Sequence, residues 1–143
     1  MVRATPLTLE AALKYRPREY EVGVTPQDYL PLAPFSQTIA LYDDELDETL
    51  SIVGITVSWP GVADIWMFNG PNMAKRRVKV VRAIYNFIRV SWDMLGLRRL
   101  QCYVLKDYPE HKRVVEGFGF TYEGESPQFT PRGETVLRYA MVR

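Results

Sequence analysis

The sequence is poor in the residues that build redox and metal chemistry. Among 143 residues it holds one cysteine, Cys102, and one histidine, His111. A lone cysteine excludes an intramolecular disulfide. One histidine without companion ligands at metal-binding spacing gives no metal site. Cys102 stands in an apolar alternation and reads as a small buried hydrophobe rather than a catalytic thiol. A surplus of one charge sign is also missing. With 18 basic and 17 acidic residues the net charge is +1, so no global field steers the chain toward nucleic acid or membrane. No apolar run reaches the ~20 residues that span a bilayer, and no stretch has the form of a signal peptide. Internal repeats and low-complexity tracts are absent. A reducing, intracellular setting is therefore expected.

What is present suits one globular domain over residues 1–143. Hydrophobic residues make up 47% and charged residues 24%, and the length is enough to bury a substantial core. The organising stretch runs from Ala63 to Phe120. It reads as strand, short loop, long basic-headed helix, strand, short helix and the double Gly-Phe of Gly117-Phe118-Gly119-Phe120. The long helix is expected from Lys75 to about Leu95. Val81, Ile84, Ile88 and Leu95 recur at helical spacing, with Val80, Phe87 and Ser91 beside them, and Lys79, Arg82, Asn86, Arg89 and Asp93 take the opposite face.

Before this stretch, Val2 to Thr5 reads as a short strand, and Thr8-Leu9-Glu10 opens a helix to about Lys14. Three prolines make Thr25 to Phe35 irregular, with a helical turn at Gln27 to Leu30. Its apolar residues Tyr29, Leu30, Leu32 and Phe35 are expected to lie over the sheet. Gln37 to Tyr42, Thr49 to Trp59 and Val62 to Phe68 read as an antiparallel meander. The acidic run Asp43 to Glu48 reads as a solvated turn, and Pro60-Gly61 as a tight one. After the long helix, Leu100 to Leu105 is a strand. Asp107 and Glu110 are spaced as a capping box around Pro109, opening a helix to about Glu116. Phe118 to Glu123 and Glu134 to Val142 close the chain as strands. The fold class is α+β, with a mixed, mostly antiparallel twisted sheet flanked by helices. The strands Ala63–Phe68 and Leu100–Leu105 should run parallel and splay, because a long crossover helix joins them. Val81, Ile84, Ile88, Cys102, Val104 and Phe120 are expected in the core.

This order of elements, ending in Gly119-Phe120, resembles the GNAT family of N-acetyltransferases over roughly Val2 to Val142. The basic-headed helix and the segment Tyr108 to Phe120 resemble most the small GNAT-like proteins of tailed bacteriophages, including the internal virion protein type. The resemblance implies acetyl-CoA as cofactor. It would be held along Met67, Phe68, Asn69, Gly70, Asn72, Met73, Ala74, Lys75 and Arg76, with its pyrophosphate on the helix N-terminus. The chain departs from the family pattern at informative places. Asn72 stands where the family loop has its central glycine, and Pro71 removes a backbone donor. Counting back from Gly119, the tyrosine that protonates the leaving thiolate falls on Val115, and the usual asparagine falls on Tyr108. These departures predict weak acetyl-CoA binding.

Asp64, Tyr108 and His111 are the candidate catalytic groups. Asp64 would be a base on the strand before the loop, and His111 would be a base that titrates near neutrality, set against a reading as a surface histidine of a capped helix. Lys75-Arg76-Arg77 reads either as a phosphate site or as a solvated cationic surface, with CoA, nucleic acid or an acidic protein as partner. The functional expectation is a bacteriophage GNAT-fold structural or interaction protein, virion-associated or host-interacting, with a degenerate acetyl-CoA site. Its partners would be proteins, virion components among them, and its location the host cytoplasm or the virion. The alternative is an acetyl-CoA-dependent N-acetyltransferase acting on an amine.

Overall fold

The computed structural model describes residues 1–18 and 25–143. Strands β1 (Val2–Thr5), β2 (Ser36–Asp43), β3 (Glu48–Trp59), β4 (Val62–Asn69), β5 (Arg99–Leu105), β6 (Thr121–Ser126) and β7 (Val136–Val142) form one sheet in the order β1-β2-β3-β4-β5-β7-β6. Every pairing is antiparallel except β4 with β5. The helices are α1 (Leu9–Leu13), α2 (Arg77–Met94) and α3 (Pro109–Gly117), and 3₁₀ segments cover Pro26–Phe35 and Pro71–Arg76. The mixed α+β sheet expected from the sequence is therefore present, with its one parallel step where the crossover helix requires it. No helix among the described residues is long and apolar enough to cross a membrane.

The alternation along β3 sorts its side chains between two cores. Val53 and Ile55 join Ile65, Leu100, Cys102, Leu137, Tyr139 and the α2 residues Val80, Ile84, Ile88 and Trp92 on one face. Ile52 joins Ala11, Ala12, Tyr15 and Phe68, with Tyr29, Leu30 and Trp66 packed against them, on the other. Gly54 is required by this second layer. A Cβ built there would lie 2.0 Å from Cζ2 of Trp66, whose indole N–H donates to Thr56 Oγ1 at 3.0 Å. Gly119 turns the chain at φ +98°, a conformation costly for a residue with a Cβ, and both Phe118 and Phe120 enter the main core.

Several boundaries differ from the sequence expectation. The long helix starts at Arg77, because Pro71 opens a 3₁₀ turn that carries the chain to Arg76. Its buried stripe is Val80, Ile84, Ile88, Ser91 and Trp92. Val81, expected in the core, is 36% exposed; the helix is rotated so that Val80 occupies the inward position. Val104 is only half-buried, since it faces the splay described below. The Thr25–Phe35 region is a continuous 3₁₀ run in which Tyr29 and Leu30 pack down while Leu32 and Phe35 are exposed. Asp107 does not cap α3. Pro109 occupies the first turn, Tyr108 is the cap residue, and no side chain caps the helix. The final hairpin starts at Thr121 rather than Phe118, because Phe118 closes α3 with its N–H on Val114.

The acidic turn is solvated at Asp44, Glu45 and Asp47, as expected, but each of these carboxylates also has an ion-pair partner and Asp43 is buried. Asp44 meets Arg3, Asp47 meets Lys14 and Glu45 meets Arg76. Asp43 is fully buried, accepts from the Glu45 and Leu46 N–H groups, and lies 2.7 Å from Arg76 Nε. That last approach is a charge contact without hydrogen-bond alignment. Burial pushes the Asp43 carboxyl up, but the Leu46 N–H, the Arg76 charge and the Glu45 N–H outweigh it and hold it below its ordinary 3.8. A carboxyl depressed in this way stabilises the fold above its unfolded-state value, and the contribution is lost as pH falls through the folded value. Arg76→Ala is therefore expected to lower stability at neutral pH and move the acid-unfolding midpoint upward. Circular dichroism across an acid titration checks this; an unmoved midpoint would show that Arg76 adds nothing.

Candidate functional site

The parallel step in the sheet opens a cleft. β4 and β5 pair only from Val62 with Arg99 to Asp64 with Gln101. Beyond that point β4 continues to Asn69 bound to β3, and β5 continues to Leu105 bound to β7. The facing edges of the two strands diverge, and no strand fills the gap among the described residues. The space is about 470 Å³. Ile65, Met67 and Phe68 line one wall, and Val104, Val114, Val115 and Phe120 line the other. Polar groups enter from Arg18, Asn69, Glu110, His111, Thr130, Arg132 and Glu134. An apolar slot with a few convergent polar groups is the usual form of a small-molecule site.

Each polar group is positioned by identifiable contacts. Arg18, just past α1, donates from Nε to the Asn69 carbonyl at 2.7 Å and from Nη2 to the Gly70 carbonyl at 3.3 Å. It thereby ties the α1 side to the open end of β4. Gly70 allows that closeness: a Cβ there would lie 3.0 Å from the Arg16 carbonyl oxygen. Asn69 Oδ1 accepts from Ser51 Oγ at 2.7 Å. Glu134 accepts from Thr130 Oγ1 at 3.1 Å, and its own N–H donates back to that hydroxyl.

His111 sits in the first turn of α3 and is half-buried in the cleft wall, not on the open surface that a capped helix would give it. The Tyr108 ring packs against it with centroids 5.5 Å apart. Burial lowers its pKa below 6.5; the neighbouring Glu110 charge raises it and the Arg18 charge lowers it further. Neutral imidazole is therefore the dominant form at pH 7, able to accept a proton. Cys102 also borders the cleft, but burial, helped by the Asp64 charge, pushes its thiol up to about 12. A thiol so placed is a poor nucleophile.

The structure brings together only part of the set picked out from the sequence. Met67, Phe68, Asn69 and His111 line the cleft. Gly70 borders it through its carbonyl, and Tyr108 through its contact with His111. Asp64 stands at the apex, where the strands are still paired. It accepts from Ser58 Oγ at 2.8 Å and Gln101 Nε2 at 2.9 Å. Asn72 donates to both oxygens of Glu48 at 3.1 Å. Met73 packs against the main core, and Ala74 and Lys75 are exposed in the 3₁₀ turn. Arg76 is occupied by Asp43 and Glu45. Val115 is 4% exposed and lines the wall without a hydroxyl. Among the described residues no cluster of His, Cys, Asp or Glu is arranged to hold a metal. Arg18, Glu110, Thr130, Arg132 and Glu134 were not foreseen. They come from three separate segments, and no local pattern marks them.

The chain has the fold of the GNAT N-acetyltransferases. It superposes on a GCN5-related N-acetyltransferase from Brucella melitensis with a TM-score of 0.73 at 20% identity, covering 99% of this chain and 75% of that one. A putative phosphinothricin N-acetyltransferase gives a TM-score of 0.73 at 12% identity, over 99% of this chain and 98% of that one. A spermidine N-acetyltransferase mutant from Vibrio cholerae gives 0.65 at 15% identity, over 82% and 72%. No protein-family model and no curated protein matches the sequence.

Proposed function

We propose that the chain is an acetyl-CoA-dependent N-acetyltransferase that works in the β4–β5 cleft. The observation carrying this reading is the splay itself: two strand edges released from each other around an apolar slot of about 470 Å³. A pantetheine arm is narrow, extended and carries two amides, so it can dock between such edges as an added strand does. The residues present fit that arm well. Met67, Phe68 and Asn69 offer backbone on one side, while Val104, Val114 and Val115 give an apolar wall on the other. The pyrophosphate end fits less well. Lys75 and Arg77 are exposed at the head of α2, whose N-terminus has no side-chain cap, so cations and helix dipole favour phosphate. Arg76 is committed to carboxylates and Asn72 to Glu48, and neither is free to assist.

The cofactor would supply the activated acetyl group. The protein's own contribution is to align the amine and to remove its proton. His111, neutral at pH 7 and facing the cleft, is the group suited to take that proton. Asp64 is further from the open part of the cleft and already accepts two hydrogen bonds. Tyr108 would serve by holding the imidazole ring. Alignment alone supplies much of an acyl transfer's acceleration, so a wall without a tyrosine acid at Val115 does not abolish the reaction.

A second reading is favoured by Val115, Asn72 and Arg76 together: a GNAT-fold interaction protein, of the bacteriophage type the sequence resembles, that has lost the transfer step. Calorimetric titration with acetyl-CoA, followed by an assay of thiol release with a panel of amines, separates the two. Saturable binding with amine-dependent release supports the transferase. Absence of both supports the interaction protein.

A further inference from the structure

The outer face of α2 concentrates positive charge that no ion pair among the described residues neutralises. Lys79, Arg82 and Arg89 fall on one line of the helix with Asn86 between them, and Lys75 stands at its head. All are exposed, and none makes an ion pair among the described residues. Five carboxylates of the acidic turn and of α2 are paired elsewhere. Asp43 and Glu45 hold Arg76, Asp44 holds Arg3, and Asp47 holds Lys14. Asp93, the one acidic residue of α2, pairs with Arg143. A chain of net charge +1 thus presents a localised basic stripe. On the adjoining line of the helix, Val78 is 69% and Tyr85 55% exposed. From Lys79 to Arg89 the stripe is roughly 15 Å long at the α-helical rise.

We infer that this face of α2 binds the phosphodiester backbone of a single-stranded nucleic acid. Cations spaced along a straight line match a repeating anion. An exposed tyrosine among them supplies a face on which an unpaired base can stack. The flanking apolar residues Val78, Val81 and Tyr85 lack the Trp, Phe and Leu wedge that seats a basic helix in a bilayer. The rest of the stripe runs along α2 outside the cleft, and only Lys75 at its head is shared with the phosphate end of the transferase reading, so a catalytically silent protein leaves the inference intact.

The test is fluorescence anisotropy with a labelled short poly-dT strand, read at low and moderate salt. Four phosphate contacts predict a salt slope of about −2.8, or an affinity loss of roughly fifty-fold between 50 and 200 mM salt. Arg82→Glu with Arg89→Glu should halve that slope to about −1.4 and weaken binding by at least about tenfold. Lys112→Glu with Arg113→Glu changes charge equally on exposed positions of α3 and should leave affinity nearly unchanged. Tyr85→Ala should weaken binding with little change in slope. Unaltered circular dichroism identifies folded variants, and all substituted positions lie outside the core. The inference is overturned by no binding at low salt, by equal losses in both charge-reversed pairs, or by tighter binding of duplex that is indifferent to Tyr85. Binding to phosphatidylserine vesicles without binding to the oligonucleotide would overturn it as well.

Discussion

Replacing His111 by alanine is expected to lower the rate of amine acetylation by about 10²–10⁴-fold, the usual contribution of a positioned general base. The imidazole lines the cleft, is held by the Tyr108 ring, and has its pKa lowered by burial and by Arg18 against the opposing pull of Glu110. Its neutral form is the working form, so activity should rise with pH through a value below 6.5 and be flat near neutrality. The wild-type pH profile and kcat/KM of the alanine variant check both statements. Acetyl-CoA affinity should change little, because the side chain is assigned to the amine and not to the cofactor. Asp64→Asn is the contrasting variant. A rate that survives His111→Ala but collapses in Asp64→Asn would move the base to the apex of the cleft.

The largest stability effect is expected from Ile84→Ala, a loss of about 2–5 kcal/mol. Ile84 is 1% exposed at the centre of the α2 stripe, between Val80 and Ile88, and packs in the cluster that joins α2 to β3, β4, β5 and β7. Both strands that bound the cleft are therefore seated on the surface it fills. Truncation removes transfer energy and leaves a cavity that a seven-stranded sheet cannot collapse around freely. Val81→Ala, one residue away and 36% exposed, should cost far less. Denaturant midpoints for the two variants measure the difference directly. Similar losses in both would mean that the rotation of α2 differs from the one described.

The pair of valines shows how far sequence periodicity reaches. Apolar residues recur so densely from Val78 to Val90 that helical spacing supports more than one stripe, and residues 80 and 81 are only 100° apart on the helix. The existence of the helix, its order between two parallel strands and the resulting splay were all readable, because a parallel pair needs a crossover and β-strand alternation has a fixed period. Helix ends were less so: Pro71 and Pro109 each admit more than one start, and hydrogen bonding in the folded chain decides between them.

What the sequence by itself determined is the element order and the α+β class, since these follow from local period and from chain connectivity. The pattern of charge pairing was decided only in three dimensions. Arg76 and Asp43 lie far apart in sequence, and their meeting removes one cation from the head of α2 and one carboxylate from the acidic turn. The cleft's polar set was decided there too. Arg18, His111 and Glu134 come from three separate segments and converge because two strands part at Asp64 and Gln101. Long-range proximity of this kind leaves no periodic trace in a sequence, because it depends on how packed layers bring distant segments together and not on the spacing of residues along any one of them.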